Sequence, residues 1–197
     1  MAEREMSRRQ VTLFLDTNVL YSAGCRDLLI AASIAGLCHC RWSGEVLVEL
    51  ERALHRTRPD LHPGQIRSLL AALTSACPEA LLQPRPASDL ALPPMVDPAD
   101  AHVLRGAVRA QAQVILTFNL KHFPRRLLGL HGLVGMTPDH WLCSMARSAP
   151  AEMVAVVERC RSRLVRPPLT RAQHLEALRR SGLPRFAEFL QLQYGSR

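Results

Sequence analysis

The sequence predicts an α/β fold, a central parallel sheet flanked by helices and followed by an all-helical tail. Three observations carry that expectation. Short apolar runs near residues 11–15, 37–41, 114–117 and 133–136 alternate with longer stretches of helical period, the signature of βαβ units. Two of those runs stop abruptly in polar residues, LFL in Asp16 and VIL in Thr117, as buried strands do when they reach the rim of a sheet. Beyond about Pro138 the strand signal vanishes and only helical periodicity remains.

The elements follow in order. Residues 11–15 form the first strand, and a helix carrying Leu28, Leu29, Ala32 and Ile34 leads to a short strand over 37–41. Ser43 stands where a helix N-cap belongs, before Val46, Leu47, Leu50 and Leu54 at helical spacing. The next helix runs from Pro63 to about Ala76 with Ile66, Leu69, Leu70 and Leu73 inside, and Cys77-Pro78 closes it. Residues 80–83 read as a further strand, and QPRPASDLALPP as a Pro-rich connector without period. Asp97-Pro98 is the punctuation of a helix start, with Val103, Leu104, Ala107 and Val108 as the inner stripe. Strands over 114–117 and 133–136 complete the sheet. The tail divides into helices at 151–165, 170–180 and 184–193, broken by RPP and SGLP.

Composition narrows the class. At 197 residues, 48% hydrophobic and 21% charged, the chain suits one domain with an appendage and carries no mark of disorder. The net charge is +8, and of 25 cations only Lys121 is lysine, so a polyanionic partner is a fair expectation although arginine-rich coding contributes to it. The opening MAEREMSRRQ is polar rather than a basic-then-apolar leader, no apolar run reaches 18 residues, and the six cysteines form no CxxC pair. A cytoplasmic protein with free thiols is expected. Cys38-His39-Cys40 lacks the second half that a structural zinc site requires. Aromatic residues, at 5%, are too few for a base-stacking platform.

The chemistry gathers in the acids. In a parallel sheet the carboxyl ends of strands and the amino ends of the helices between them share one edge, which brings Asp16, Asp97, Asp100, Thr117 and Asn119 together. Glu49 interrupts the apolar stretch VLVEL and shares a helix face with Glu45, so it looks either to solvent or into the same cleft. Each acid also has an ordinary reading: Asp16 as a turn residue, Asp97 and Asp100 as a cap and a dipole partner. Several carboxylates at about 4 Å repel by about 4 kcal/mol per pair at an effective dielectric near 20. Such a cluster calls for protons or a hard cation, and an oxygen-rich set suits Mg²⁺ or Mn²⁺.

LDTNVL after a strand, then VELERAL, DPADAHVL and VILTFNLKHF in that order, resembles the PIN domain, and within it the VapC-type toxin ribonucleases. The tail, with TPDHWL, RPPLT and SGLPRFAEFL, is similar to a C-terminal helical extension found in a bacterial subset of that family. The resemblance implies a Rossmann-like three-layer α/β/α domain over 11–137, after a polar segment at 1–10 and before a helical extension at 138–197. It also implies an Mg²⁺- or Mn²⁺-dependent endoribonuclease, an RNA substrate, a cognate antitoxin and a homodimer. By position, Asp16, Glu49 and Asp100 match the metal-binding acids, with Thr17, Asn18, Asp97 and Thr117 behind them. Asn119 replaces the usual fourth acid and His122 the alternative acid before Phe, which implies a weaker second metal position. Lys121, Arg125, Arg126, Arg26 and Arg41 are the cations expected to hold RNA. Two other classes compete: a catalytically silent PIN-like module that binds RNA or protein, and an aspartyl phosphatase, which the Asn18 two residues after Asp16 argues against.

Overall fold

The computed structural model describes residues 10–84, 97–164 and 168–195. Four strands, β1 (Thr12–Leu15), β2 (His39–Arg41), β3 (Val114–Leu116) and β4 (Val134–Met136), pair in the order β2-β1-β3-β4, every pair parallel. Leu13, Phe14 and Leu15 are all fully buried. Successive strand residues point to opposite faces, so both faces of β1 must be covered. That is the α/β/α layering the sequence predicts, and β1 and β3, the two central strands, are the ones that end in Asp16 and Thr117.

Helix α5 (Ala101–Arg109) lies directly on β1. Gly106 permits this: a Cβ there would fall 2.2 Å from the Phe14 ring. Helix α3 (Gly44–Thr57) starts as expected, with the Ser43 side chain accepting from the Val46 amide, and it buries Val46, Leu50 and Leu54. Helix α4 (Pro63–Ala76) is closed at its start by a His62–Gln65 capping box.

Four features differ from the sequence reading, one of them a helix over Pro138–Ser148 at the head of the tail, where three tail helices beginning at Ala151 were expected. A short helix, α1 (Thr17–Tyr21), begins immediately after Asp16 and turns into α2 (Ala23–Ile34); its single turn is too brief to show a period. The strand expected over 80–83 shrinks to one parallel bridge between Leu81 and Trp42, because Pro78–Ala80 winds into a 3₁₀ turn. Another short helix, α6 (Arg125–Gly129), fills the loop before β4.

The tail's described elements are four helices: α7 (Pro138–Ser148), α8 (Pro150–Ser162), α9 (Arg171–Arg180) and α10 (Pro184–Gly195). Helix α10 packs on both α7 and α9, and α8 packs on α7 and along α2 of the body. The polar segment 1–9, most of the Pro-rich connector, and residues 165–167 of the RPP break lie outside the described residues. Among those described, no helix is long and apolar enough to cross a membrane.

Candidate active site at the carboxyl edge of the sheet

Asp16 sits at the N-cap position of α1, yet its side chain makes no capping bond. The carboxylate is held from the side instead. Thr117 Oγ1 and Asn18 Nδ2 both donate to Oδ2, each at 2.6 Å. Asn18 in turn reaches Thr117 Oγ1 at 3.1 Å and accepts from the Phe118 amide at 3.0 Å, and the Asn119 amide donates to Thr117 Oγ1 at 2.9 Å. The ends of β1 and β3 are thereby tied together around one buried acid, only 4% exposed. Burial pushes the Asp16 carboxyl above its ordinary range. The hydrogen bonds from Thr117 and Thr17 oppose that, and the negative charges of Asp100 and Glu49 add to it.

Those two charges show that three acids, from β1, α3 and the start of α5, share one electrostatic environment. Glu49 is half exposed and accepts from Thr17 Oγ1 at 2.5 Å, which turns it toward the edge rather than into solvent. His102 Nε2 lies 3.2 Å from Glu49 Oε2, off the line of a good hydrogen bond, while its Nδ1 meets the Ala99 carbonyl at 2.8 Å. Asp97 caps the 3₁₀ turn Pro98–Asp100 through the Ala99 amide. Asp100 caps nothing. Its Oδ2 lies 2.6 Å from His122 Nδ1, and Asp97 Oδ2 is 3.8 Å from the same nitrogen. Asp97, Asp100 and His122 each present a ligand atom within 4.8 Å of the others. The Asn119 amide nitrogen also approaches His122 Nδ1, at 2.8 Å. One ring nitrogen can satisfy only one of these contacts, and the nearer, charged carboxylate is the stronger partner, so Nδ1 carries a proton toward Asp100.

Asp16, Glu49, Asp100, Asn119, Thr17, Asn18, Asp97 and Thr117 therefore meet at one edge. Lys121, Arg125 and Arg126 are exposed just beyond it, with no ion-pair partner among the described residues. The other two expected cations go elsewhere. Arg26 is buried, donating to the Leu20 carbonyl at 3.0 Å and to Asp27 at 3.1 Å, which makes it a structural cation of α2. Arg41 is turned to the Glu79 carbonyl, in a hollow shared with Cys77 and Pro78. Both were expected as RNA ligands, and neither is offered to an RNA at this edge. Cys38 and Cys40 point into the core while His39 points out, so that triplet forms no shared ligand face. Sequence reading missed His102. No period marks it, and its only signal is its place two residues after Asp100 in the first turn of α5. His122 was expected in place of an alternative acid before Phe; the fold supplies its two carboxylate neighbours, Asp100 and Asp97.

The sequence pattern of the PIN domain matches residues 12–121. The chain belongs to the PIN domain family. A second pattern, the VapC50 C-terminal domain, matches residues 138–192 of this PIN-domain protein, which is the helical tail. A Mycobacterium tuberculosis protein named "Putative ribonuclease VapC50" is 36% identical over 88 residues, covering 45% of this chain and 52% of that one. The chain thus spans about half the length of the curated relative it matches. No solved structure matches it.

The donor set fits a hard divalent cation. Asp97, Asp100 and His122 present ligand atoms within 4.8 Å of one another, and the charges of Asp100 and Glu49 bear on Asp16 beside them, with hydroxyl and amide neighbours and without sulfur. Asp16 is held buried at a cost that a nearby positive charge would relieve.

Proposed function

We propose that this PIN-domain protein is an Mg²⁺- or Mn²⁺-dependent endoribonuclease, the toxin of a toxin–antitoxin pair, working in the cytoplasm as a homodimer and restrained by a cognate antitoxin protein. The observation that carries the reading is the convergence of Asp16, Glu49 and Asp100 on one edge, with Asp16 buried and pushed toward protonation by that burial and by its two acidic neighbours. The family match and the name of the mycobacterial relative support the same activity.

Asp16, Glu49 and Asp100 would hold the cation, which when bound supplies charge neutralisation and Lewis acidity for phosphodiester hydrolysis. The chain's own groups do the rest. Thr117 and Asn18 fix Asp16 through Oδ2, and Thr17 fixes Glu49 through Oε2. His122 orients Asp100. Asn119 offers an amide oxygen where an acid would bring charge, so the site is less anionic beside Asp100 than a four-acid site. Lys121, Arg125 and Arg126 stand ready for backbone phosphates, which favours recognition by RNA shape and backbone over base stacking.

The replacement of the fourth acid by Asn119, with His122 bonded to Asp100, favours one rival: a PIN-like module that binds RNA or protein without cutting. Incubation of purified protein with RNA and Mn²⁺ separates the two. The proposal expects new RNA ends that disappear with chelator and with Asp16→Asn. Binding without cleavage under these conditions would establish the silent module instead.

A further inference from the structure

The turn between α9 and α10 reaches back from the helical extension and touches the body at two points, both next to the acidic edge. Ser22 Oγ donates to the Ser181 carbonyl at 2.9 Å. Ser22 is the residue that ends α1, the helix of Thr17 and Asn18. Beside it, Gly24 admits the Ser181 side chain so closely that a Cβ at 24 would lie 2.5 Å from Ser181 Oγ.

The second contact is at Gly182. Its φ of +85° is open to glycine and strained for other residues. A Cβ there would fall 2.8 Å from Cε1 of Phe118. The Phe118 ring lies against Gly182 and is 38% exposed, outside the buried core. Phe118 lies between Thr117 and Asn119, and its amide donates to Asn18 Oδ1, the residue that donates onward to Asp16 Oδ2.

One turn of the extension thus grips both segments that carry the first acid and its hydrogen-bond partners. We infer that the α9–α10 turn, through Gly182 against Phe118 and Ser181 against Ser22, is a positioning element of the site, so that the C-terminal extension sets the geometry of Asp16, Asn18 and Thr117. The inference deepens the nuclease reading above and rests on it for its activity readout, but not for its structural one.

The test uses the full chain with Gly182→Ala, which places a methyl against Phe118, and Ser22→Ala as a milder variant that keeps the turn. Three quantities are read well below the melting temperature: Mn²⁺ affinity by calorimetry, kcat and KM on RNA, and hydrogen exchange of the Phe118 amide. Gly182→Ala is expected to weaken Mn²⁺ binding and lower kcat by roughly 10–100-fold, the range for groups standing behind a metal ligand. KM should stay within about twofold, and exchange at Phe118 should quicken. Ser22→Ala should move the same way by less, with Ser22→Thr restoring it. Adding Phe118→Ala to Gly182→Ala should cost no more Mn²⁺ affinity or kcat than Phe118→Ala alone, because the clash then has no target, while the left-handed backbone at 182 still lowers the melting temperature. Unchanged Mn²⁺ affinity, kcat and Phe118 exchange in Gly182→Ala, whatever its melting temperature, would overturn the positioning role. If the unsubstituted protein takes up no Mn²⁺, the nuclease reading fails, and Phe118 exchange still decides this one.

Discussion

The sheet edge and the helical extension are built on opposite principles. At the edge the decisive bonds span long stretches of chain, Thr117 to Asp16, Thr17 to Glu49 and His122 to Asp100, and they gather like charges. In the extension the polar bonds are mostly local and opposite in sign. Thr170 and Gln173 form a capping box on α9, and Glu158 is bracketed by Arg161 and Arg171. The long-range exception is Asp139, at the start of α7, which accepts from the Arg185 and Phe186 amides at the start of α10. The extension spends its polar groups on its own stability. The edge holds groups that the fold would be more stable without, which is what a site looks like energetically.

The sharpest break of that comparison is Asp16→Asn, or Asp100→Asn. Either should cost more activity than the roughly 10–100-fold lost when a group behind a metal ligand is removed. In metal-free buffer the melting temperature should hold or rise, since Asn keeps an oxygen for Thr117 and Asn18 while the repulsion goes. A clear fall in metal-free melting temperature would mean that the acids are structural caps after all. Thr117→Val comes next, with about 10–100-fold weaker Mn²⁺ binding and slower cleavage, read by calorimetry and RNA assay. Thr170→Ala should behave in reverse, losing about 0.5–2 kcal/mol of stability with its cap and leaving kcat unchanged well below melting. Glu158→Gln should be smaller still, about 0–1 kcal/mol for exposed pairs, read by denaturant titration.

Acid separates the two regions in sign. Burial raises the Asp16 carboxyl, so the folded state binds that proton more readily than the unfolded one. Its contribution to metal-free stability is present at low pH and lost as pH rises from the ordinary carboxylate value through the raised one. Burial lowers His174, in α9, so its contribution is present above the ordinary imidazole value near 6.5 and is lost as pH falls through the window below it. Melting curves of Asp16→Asn and His174→Gln between pH 4 and 7 should therefore flatten the pH dependence in opposite directions. Parallel changes would remove the contrast.

The sheet was legible because its signal is local: four short apolar runs between helical stretches, two of them with an abrupt polar stop. So was the pairing of Asp16 with Thr117, since a parallel sheet forces strand ends onto one edge. Glu49 could be narrowed only to two directions, because its helix face is amphipathic; the Thr17 hydroxyl that turns it inward lies 32 positions away. His102 and His122 acquire their carboxylate neighbours only when α5 and the β3 loop are packed. Arg26 and Arg41 misled for the matching reason. A cation in sequence carries no sign of whether a carbonyl, Leu20 or Glu79, will take it in the fold.

The most direct test is a calorimetric titration of metal-free protein with Mn²⁺, beside the same titration of Asp16→Asn. A converging carboxylate site predicts saturable uptake in the first and its loss in the second, with both proteins folded. No uptake in the unsubstituted protein, or equal uptake in both, would contradict it.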